Sequence, residues 1–181
     1  MPNILVMPFP LQGHINPFLS LVNLLIPHGF TFTFVITEEL AGSLPDPPNA
    51  GQDKQEEEEG EEEGEGESTP PPPIRYVSLP VISLDEAARR AGNGSLRLQH
   101  VEIVKSMRPG FEDLVRSMVS GHWGVSSIIG DCYVTWLIEV ALQFEVPMFT
   151  FFTTNSHVMS TFLHIEELIA HGASPMSGTY T

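Results

Sequence analysis

One cysteine, Cys132, stands in the 181-residue chain. An internal disulfide is excluded, and a cysteine-based metal cluster with it. That economy fits a reducing compartment, and the cytoplasm is the expected location. Basic residues are also scarce: 8 Lys and Arg face 23 Asp and Glu, for a formal net charge of −15. Nothing basic recommends nucleic acid or an anionic membrane as a partner. No apolar run reaches the roughly 20 residues a membrane-spanning helix needs. The N-terminus opens directly on apolar strand residues, without a basic region or cleavage site, so no signal peptide is expected. Three chemical signatures are missing too. There is no G-x-G-x-x-G turn for a dinucleotide and no G-x-S-x-G elbow for a hydrolase nucleophile. There is no Asp-x-Asp at a strand end to hold a metal on a diphosphate.

What is present is unevenly placed. Residues 46–67 hold 11 acids, nine of them Glu, against Lys54 alone. The rest of the chain carries 12 acids and 7 Lys and Arg, so the part that folds is only mildly acidic. Prolines, glycines and glutamates fill residues 44–73, with almost nothing apolar. Such a segment buries too little surface to offset its ordering entropy and is expected to be a disordered loop insertion. Insertions of this kind cost a fold little. The chain as a whole is 41% hydrophobic, with 11 Phe, enough for one domain with a sizeable core.

Asn3-Ile4-Leu5-Val6-Met7 is short, apolar and closed by Pro8, the pattern of a buried strand. A helix is expected from about His14 to Pro27, with Pro17 accommodated in its first turn and Gly29 ending it. Phe30 to Ile36 is β-branched and aromatic, a second strand. Strand, helix and strand in quick succession form a βαβ unit, with parallel pairing and a right-handed crossover. Thr37 is placed to cap a short helix through Ser43. Residues 74–80 read as a third strand and 85–91 as a helical piece. Asn93-Gly94-Ser95 has the form of a glycosylation sequon but reads as a turn in a chain without a secretory signal. From Val101 to Met118, apolar residues recur at spacings of three and four. One helix is expected over 96–119, kinked or broken at Pro109. Residues 125–130 read as a fourth strand ending at Asp131, 133–144 as a helix and 147–152 as a fifth strand. A last helix runs from Asn155 or Ser156 to about Ala170 and stops at Gly172. The organisation is a first βαβ unit at 1–43, the insertion at 44–73, and the remainder of one domain at 74–181, with a ragged tail from Ser174.

This alternation is that of an α/β fold, a Rossmann-like doubly wound parallel sheet, with an expected strand order of 3-2-1-4-5. Such sheets bind ligands beyond their C-terminal strand ends, where the order reverses. Here that point lies between strands 1 and 4. The loop after strand 1 carries His14, and strand 4 ends in Asp131. Topology therefore brings two residues 117 positions apart to adjoining loops. A carboxylate behind an imidazole fixes its tautomer and stabilises the imidazolium formed when the ring takes a proton. The positive end of the helix at His14 favours the neutral ring from which a base starts. His14 and Asp131 are thus a candidate general-base pair. Other readings stay open: a histidine at a helix start often caps it or faces solvent, and an aspartate at a strand end often caps the next helix. Tyr133, Trp136 and Phe18 are expected in the core. Cys132 has no flanking positive charge to lower its pKa and is expected to pack, not to react. His157 and His164, seven apart on the last helix, are spaced to share a face, but no further ligand stands at metal-binding spacing.

Pro8-x-Pro10-x-Gln12-Gly13-His14-x-Asn16-Pro17 resembles the opening of the plant family-1 glycosyltransferases, which move sugar from a UDP-sugar to small acceptors. Strand 2 running into Thr37-Glu38-Glu39 is similar to the same family. So is Ile129-Gly130-Asp131-Cys132-Tyr133-Val134-Thr135-Trp136, and so is Phe151-Phe152-Thr153-Thr154-Asn155-Ser156 with Met159 to His164 beyond it. The likeness covers nearly the whole chain apart from the Glu-rich segment. It implies the N-terminal half of a GT-B fold: two Rossmann-like domains facing a cleft, the first holding the acceptor and the second the UDP-sugar. It implies His14 as the base that deprotonates the acceptor and Asp131 as its partner. Thr153 falls where the family places a donor-sugar contact, and Gly13 where backbone approaches the sugar and diphosphate. It implies no metal and no bound cofactor, the UDP-sugar being a co-substrate.

The family's donor-binding stretch, with its His-Cys-Gly-x-Asn core, has no counterpart here, and the last strands of the first domain are missing as well. The chain looks like the first part of such an enzyme, with the C-terminal UDP-sugar domain absent. The expected function is inverting transfer of a sugar, glucose by preference, to a hydroxyl or carboxyl of a small apolar acceptor. The alternative is a truncated, non-catalytic acceptor-binding fragment. Phe9, Phe18, Trp136 and the Met-rich segments point to an aromatic or terpenoid acceptor. A Rossmann-type oxidoreductase or a hydrolase is disfavoured by the missing motifs.

Overall fold

The computed structural model describes residues 1–42, 72–92, 94–121 and 124–172. The expected insertion at 44–73 lies outside them except for its last two residues, as do Asn93 of the sequon and the tail from Ser174. The chain divides into two compact units, Met1–Phe151 and Phe152–Thr181.

The first unit is built on five strands: β1 (Asn3–Met7), β2 (Thr31–Thr37), β3 (Ile74–Leu79), β4 (Ser127–Asp131) and β5 (Met148–Phe151). Every neighbouring pair is parallel, in the order β3-β2-β1-β4-β5. The α/β reading and the expected strand order both hold. The helices are α1 (Gln12–Leu25), α2 (Glu38–Ala41), α3 (Leu84–Arg90), α4 (Leu96–Ser106), α5 (Arg108–Ser120) and α6 (Leu137–Gln143). One 3-10 turn, Ile26–His28, extends α1, and Gly29 ends it at a left-handed φ of 83° that glycine adopts without strain.

Successive side chains of a strand point to opposite faces of the sheet. In β1, Leu5 and Met7 join a core with Phe111, Val115 and Leu137. Ile4 and Val6 join a second core with Ile15, Phe18 and Val22. Helix α1 therefore covers one face, while α4, α5 and α6 cover the other. Burial on both faces is why β1 reads as an apolar run from Ile4 to Met7. Asn3 ties the base of the sheet together: its amide donates to Thr33 Oγ1 and to the Gly124 carbonyl, each at 3.3 Å.

Several element boundaries differ from the sequence-based expectation. Helix α1 starts at Gln12, two residues before His14, so Pro17 lies inside it, in the second turn. The missing Pro17 N–H removes the bond the Gly13 carbonyl would accept. Burial of Ile15, Phe18 and Val22 holds the helix regardless. Thr37 precedes α2 but makes no side-chain cap bond. The helix expected over 96–119 is two, broken at Met107. Pro109 has no N–H for the Lys105 carbonyl, and near the start of α5 that lack costs nothing. The helix expected from Tyr133 begins only at Leu137. Residues before it are held in turns: the Tyr133 N–H donates to the Asp131 carboxylate at 3.0 Å, and the Val134 N–H to the Asp131 carbonyl at 2.9 Å. An aspartate that captures backbone two residues on competes with helix.

In the second unit, the single helix expected from Asn155 is also two, α7 (Ser156–Leu163) and α8 (Ile165–Ala170). Asn155 caps α7, its side chain accepting from the Val158 N–H at 3.0 Å. The break falls at His164, whose ring Nδ1–H and backbone N–H both donate to the Ser160 carbonyl, at 2.8 and 3.1 Å. His157 and His164 therefore do not share one continuous helix. No group of three or more His, Cys, Asp or Glu among the described residues is placed to hold a metal ion. No helix among them is long and apolar enough to cross a membrane.

Candidate active site

Strands β1 and β4 lie side by side, with Met7 opposite Gly130. The chain leaves β1 through Pro8 to Leu11 and enters α1, which carries His14 in its first turn. Asp131 is the last residue of β4. The two side chains meet, His14 Nδ1 lying 2.7 Å from Asp131 Oδ2. The Asp131 side chain is fully buried, at 0% exposure, while that of His14 keeps 20%. The carboxylate thus lies behind the more exposed imidazole. Its other oxygen, Oδ1, accepts the Tyr133 N–H, so both oxygens of the buried group are engaged. An ionised carboxylate only accepts, so Nδ1 carries the proton and the lone pair of the neutral ring sits on Nε2. That is the tautomer a general base requires.

The ring is packed between aromatics. Phe9 lies 5.3 Å from it, and Tyr133 stands edge-on at 5.5 Å. These three residues line a cavity of about 400 Å³ with Leu11, Leu96, His100 and Val101. A concave, mainly apolar wall with a few polar groups suits a small molecule. Tyr133 is 45% exposed and faces this space, not the core as expected. The reason is the Asx turn at Asp131, which delays α6 and carries residue 133 outward. Of the other aromatics read from the sequence as acceptor-shaping, Phe18 and Trp136 are buried in the cores and only Phe9 reaches the cavity. Leu96, His100 and Val101 were not anticipated there. Helical periodicity marked this stretch as core-facing and said nothing of what its flank meets.

Gly13 adjoins His14 on α1, and a Cβ built on it would meet nothing within 4 Å. Packing within the chain does not demand a glycine at that position. Thr153 follows the end of β5 and belongs to the second unit. Cys132 packs beside Asp131, and its thiol is pushed up to about 11, first by burial and then by the Asp131 charge. It is no activated nucleophile.

Fold and site together define a class: a Rossmann-like sheet whose strand-order reversal carries a His–Asp pair facing an apolar cavity, the parts needed for base chemistry on a small molecule. Known proteins narrow it. No family model matches the chain. It is 28% identical over 172 residues to UDP-glycosyltransferase 87A1 of Arabidopsis thaliana, covering 94% of this chain and 33% of that protein. To the mogroside I-A1 synthase of Siraitia grosvenorii it is 26% identical over 174 residues, 96% of this chain and 29% of that one. Among solved structures, a UDP-glucosyltransferase of Polygonum tinctorium capable of glucosylating indoxyl superposes with a TM-score of 0.66 at 26% identity, over 94% of this chain and 34% of that one. Phytolacca americana UGT2, solved with UDP-2-fluoroglucose and pterostilbene, shares the fold at a TM-score of 0.69 and 16% identity, over 99% of this chain and 37% of its own. By sequence and by fold, the chain is related to the plant UDP-glycosyltransferases, GT-B proteins. It spans about a third of the length of the relatives it matches.

Proposed function

We propose that this chain holds and activates the acceptor in an inverting, UDP-sugar-dependent glycosyl transfer. The observation that carries the reading is the 2.7 Å His14–Asp131 pair on the wall of an aromatic cavity. An acceptor hydroxyl or carboxyl group in that cavity faces His14 Nε2. The nitrogen takes the hydroxyl proton as the acceptor oxygen attacks the anomeric carbon. The bond from that carbon to the diphosphate oxygen breaks, and UDP leaves from the opposite face with the bonding electrons. An α-linked UDP-sugar, UDP-glucose by preference, then gives a β-glycoside. Asp131 stabilises the imidazolium that forms. In this reading the UDP-sugar sits in a C-terminal Rossmann-like domain beyond residues 1–181. Gly13 gives its sugar and diphosphate room, and Thr153 contacts its sugar. We assign no metal a role, and place the reaction in the cytoplasm on the strength of the single cysteine.

The test is His14→Ala in a protein that joins this chain to a donor domain. Transfer is expected to fall by about 10²- to 10⁴-fold, the worth of a general base, while UDP-sugar binding by calorimetry is retained. Undiminished turnover overturns the assignment.

A further inference from the structure

Among the described residues two histidines line the cavity, and one of them belongs to the proposed base. His100 lies on α4, half-buried, and its Nδ1 is 2.7 Å from the Leu96 carbonyl one turn back. A carbonyl only accepts, so Nδ1 carries the proton and Nε2, turned away from that bond, carries the lone pair. Phe9 neighbours both imidazoles, 5.3 Å from His14 and 6.4 Å from His100, so the two rings lie at most about 12 Å apart. A two- or three-ring aromatic molecule is long enough to reach from one to the other. The rest of the wall is Leu11, Leu96, Val101 and the Tyr133 ring. Against such a surface an uncompensated polar group on the ligand is costly, and a placed acceptor decides orientation. The two rings differ in what stands behind them. His14 is backed by a buried carboxylate and His100 by a neutral carbonyl, so His100 is suited to accept a hydrogen bond but lacks the charge that stabilises an imidazolium. His100 and Leu96 also border a neighbouring cavity of about 600 Å³, where Thr37, Glu38, Glu39 and Ser83 stand among apolar residues such as Leu40, Val81 and Ile82.

We infer that His100 is a specificity-determining residue that selects acceptors with a second hydroxyl, diols and polyphenols, the remote hydroxyl donating to His100 Nε2 while the reacting one faces His14. The inference rests on the acceptor-site reading above and adds the substrate class to it.

Binding to the 181-residue chain tests it without any donor. The probes are 2,6-dihydroxynaphthalene and its monomethyl ether, titrated by calorimetry, with the imidazole ¹⁵N resonances followed in parallel. A hydrogen bond of ordinary strength is worth about five- to tenfold in affinity, so the diol is expected to bind tighter by about that factor and to shift the His100 Nε2 resonance. In His100→Phe the ratio of the two affinities should fall to about two, the statistical advantage of two equivalent hydroxyls. His100→Gln, which restores an acceptor atom, should recover part of the preference. An equal affinity of wild type for both probes, or a preference that survives in His100→Phe, overturns the role of His100 while leaving the acceptor site standing. If neither probe binds and the His14 resonances stay still, the acceptor-site reading itself fails and takes this inference with it.

Discussion

Asp131 never meets the cavity, yet it decides what His14 presents there. In Asp131→Asn the amide can donate to Nδ1, which moves the ring proton to Nε2 and removes the lone pair from the reacting side. Because the proposed acceptor site does not include Asp131, the loss should fall on kcat and be smaller than for His14→Ala, with KM little moved. An unchanged pH–rate profile in this variant argues against the pairing. Cys132, one residue on, shows the opposite effect of the same surroundings. With its thiol pushed up to about 11, it is deprotonated only as pH rises through that value. At pH 8 it holds on the order of a hundredfold less thiolate than an ordinary cysteine. Iodoacetamide should therefore alkylate the native chain far more slowly than the urea-unfolded chain at that pH. Equal rates would show an open, normal thiol.

The elements that place these residues are tightly packed where β4 ends. A Cβ added to Gly130 meets the Leu137 side chain below contact distance and the Met148 Cε at 2.9 Å. Leu137 is completely buried and has little space into which to move. Gly130→Ala should cost about 1–3 kcal/mol by overpacking, read as a lower urea midpoint at unchanged slope. It should also disturb the His14–Asp131 distance, since Asp131 is the next residue. A variant as stable as wild type would mean that Leu137 and Met148 repack freely. The strands themselves were legible: β1 from Ile4 onward and β2 throughout are apolar or β-branched because both faces are covered. Helix ends were less so. Pro109 marked a break that a period count alone would have run through. Nothing in Tyr133 to Trp136 announced that the Asp131 carboxylate would hold the next turn out of helix. The break at His164, between α7 and α8, was likewise unmarked in the sequence.

At the scale of the whole chain, the sheet lies within one compact unit, residues 1–151, and the proposed function gives that unit the acceptor side of the reaction. The expected division of labour gives a sharp measurement: UDP-glucose titrated into the 181-residue chain at concentrations up to about millimolar should release no binding heat, the regime of a Kd weaker than that. Measurable affinity would mean that contacts such as those proposed for Gly13 and Thr153 hold the donor by themselves, and would redraw the boundary. Sequence alone determined the sheet order and, through it, the meeting of His14 with Asp131. Apolar runs separated by helices leave few ways to wind a parallel sheet, and the right-handed crossover removes most of the rest. The sequence also carried the family resemblance that gives the pair its proposed role. Only the tertiary structure decided the walls of the cavity. It turned Tyr133 outward, sent Phe18 and Trp136 inward, and brought His100 of α4 to Phe9. A sequence period shows that a helix has two faces, but what stands across from either face is set by packing between elements distant in the chain.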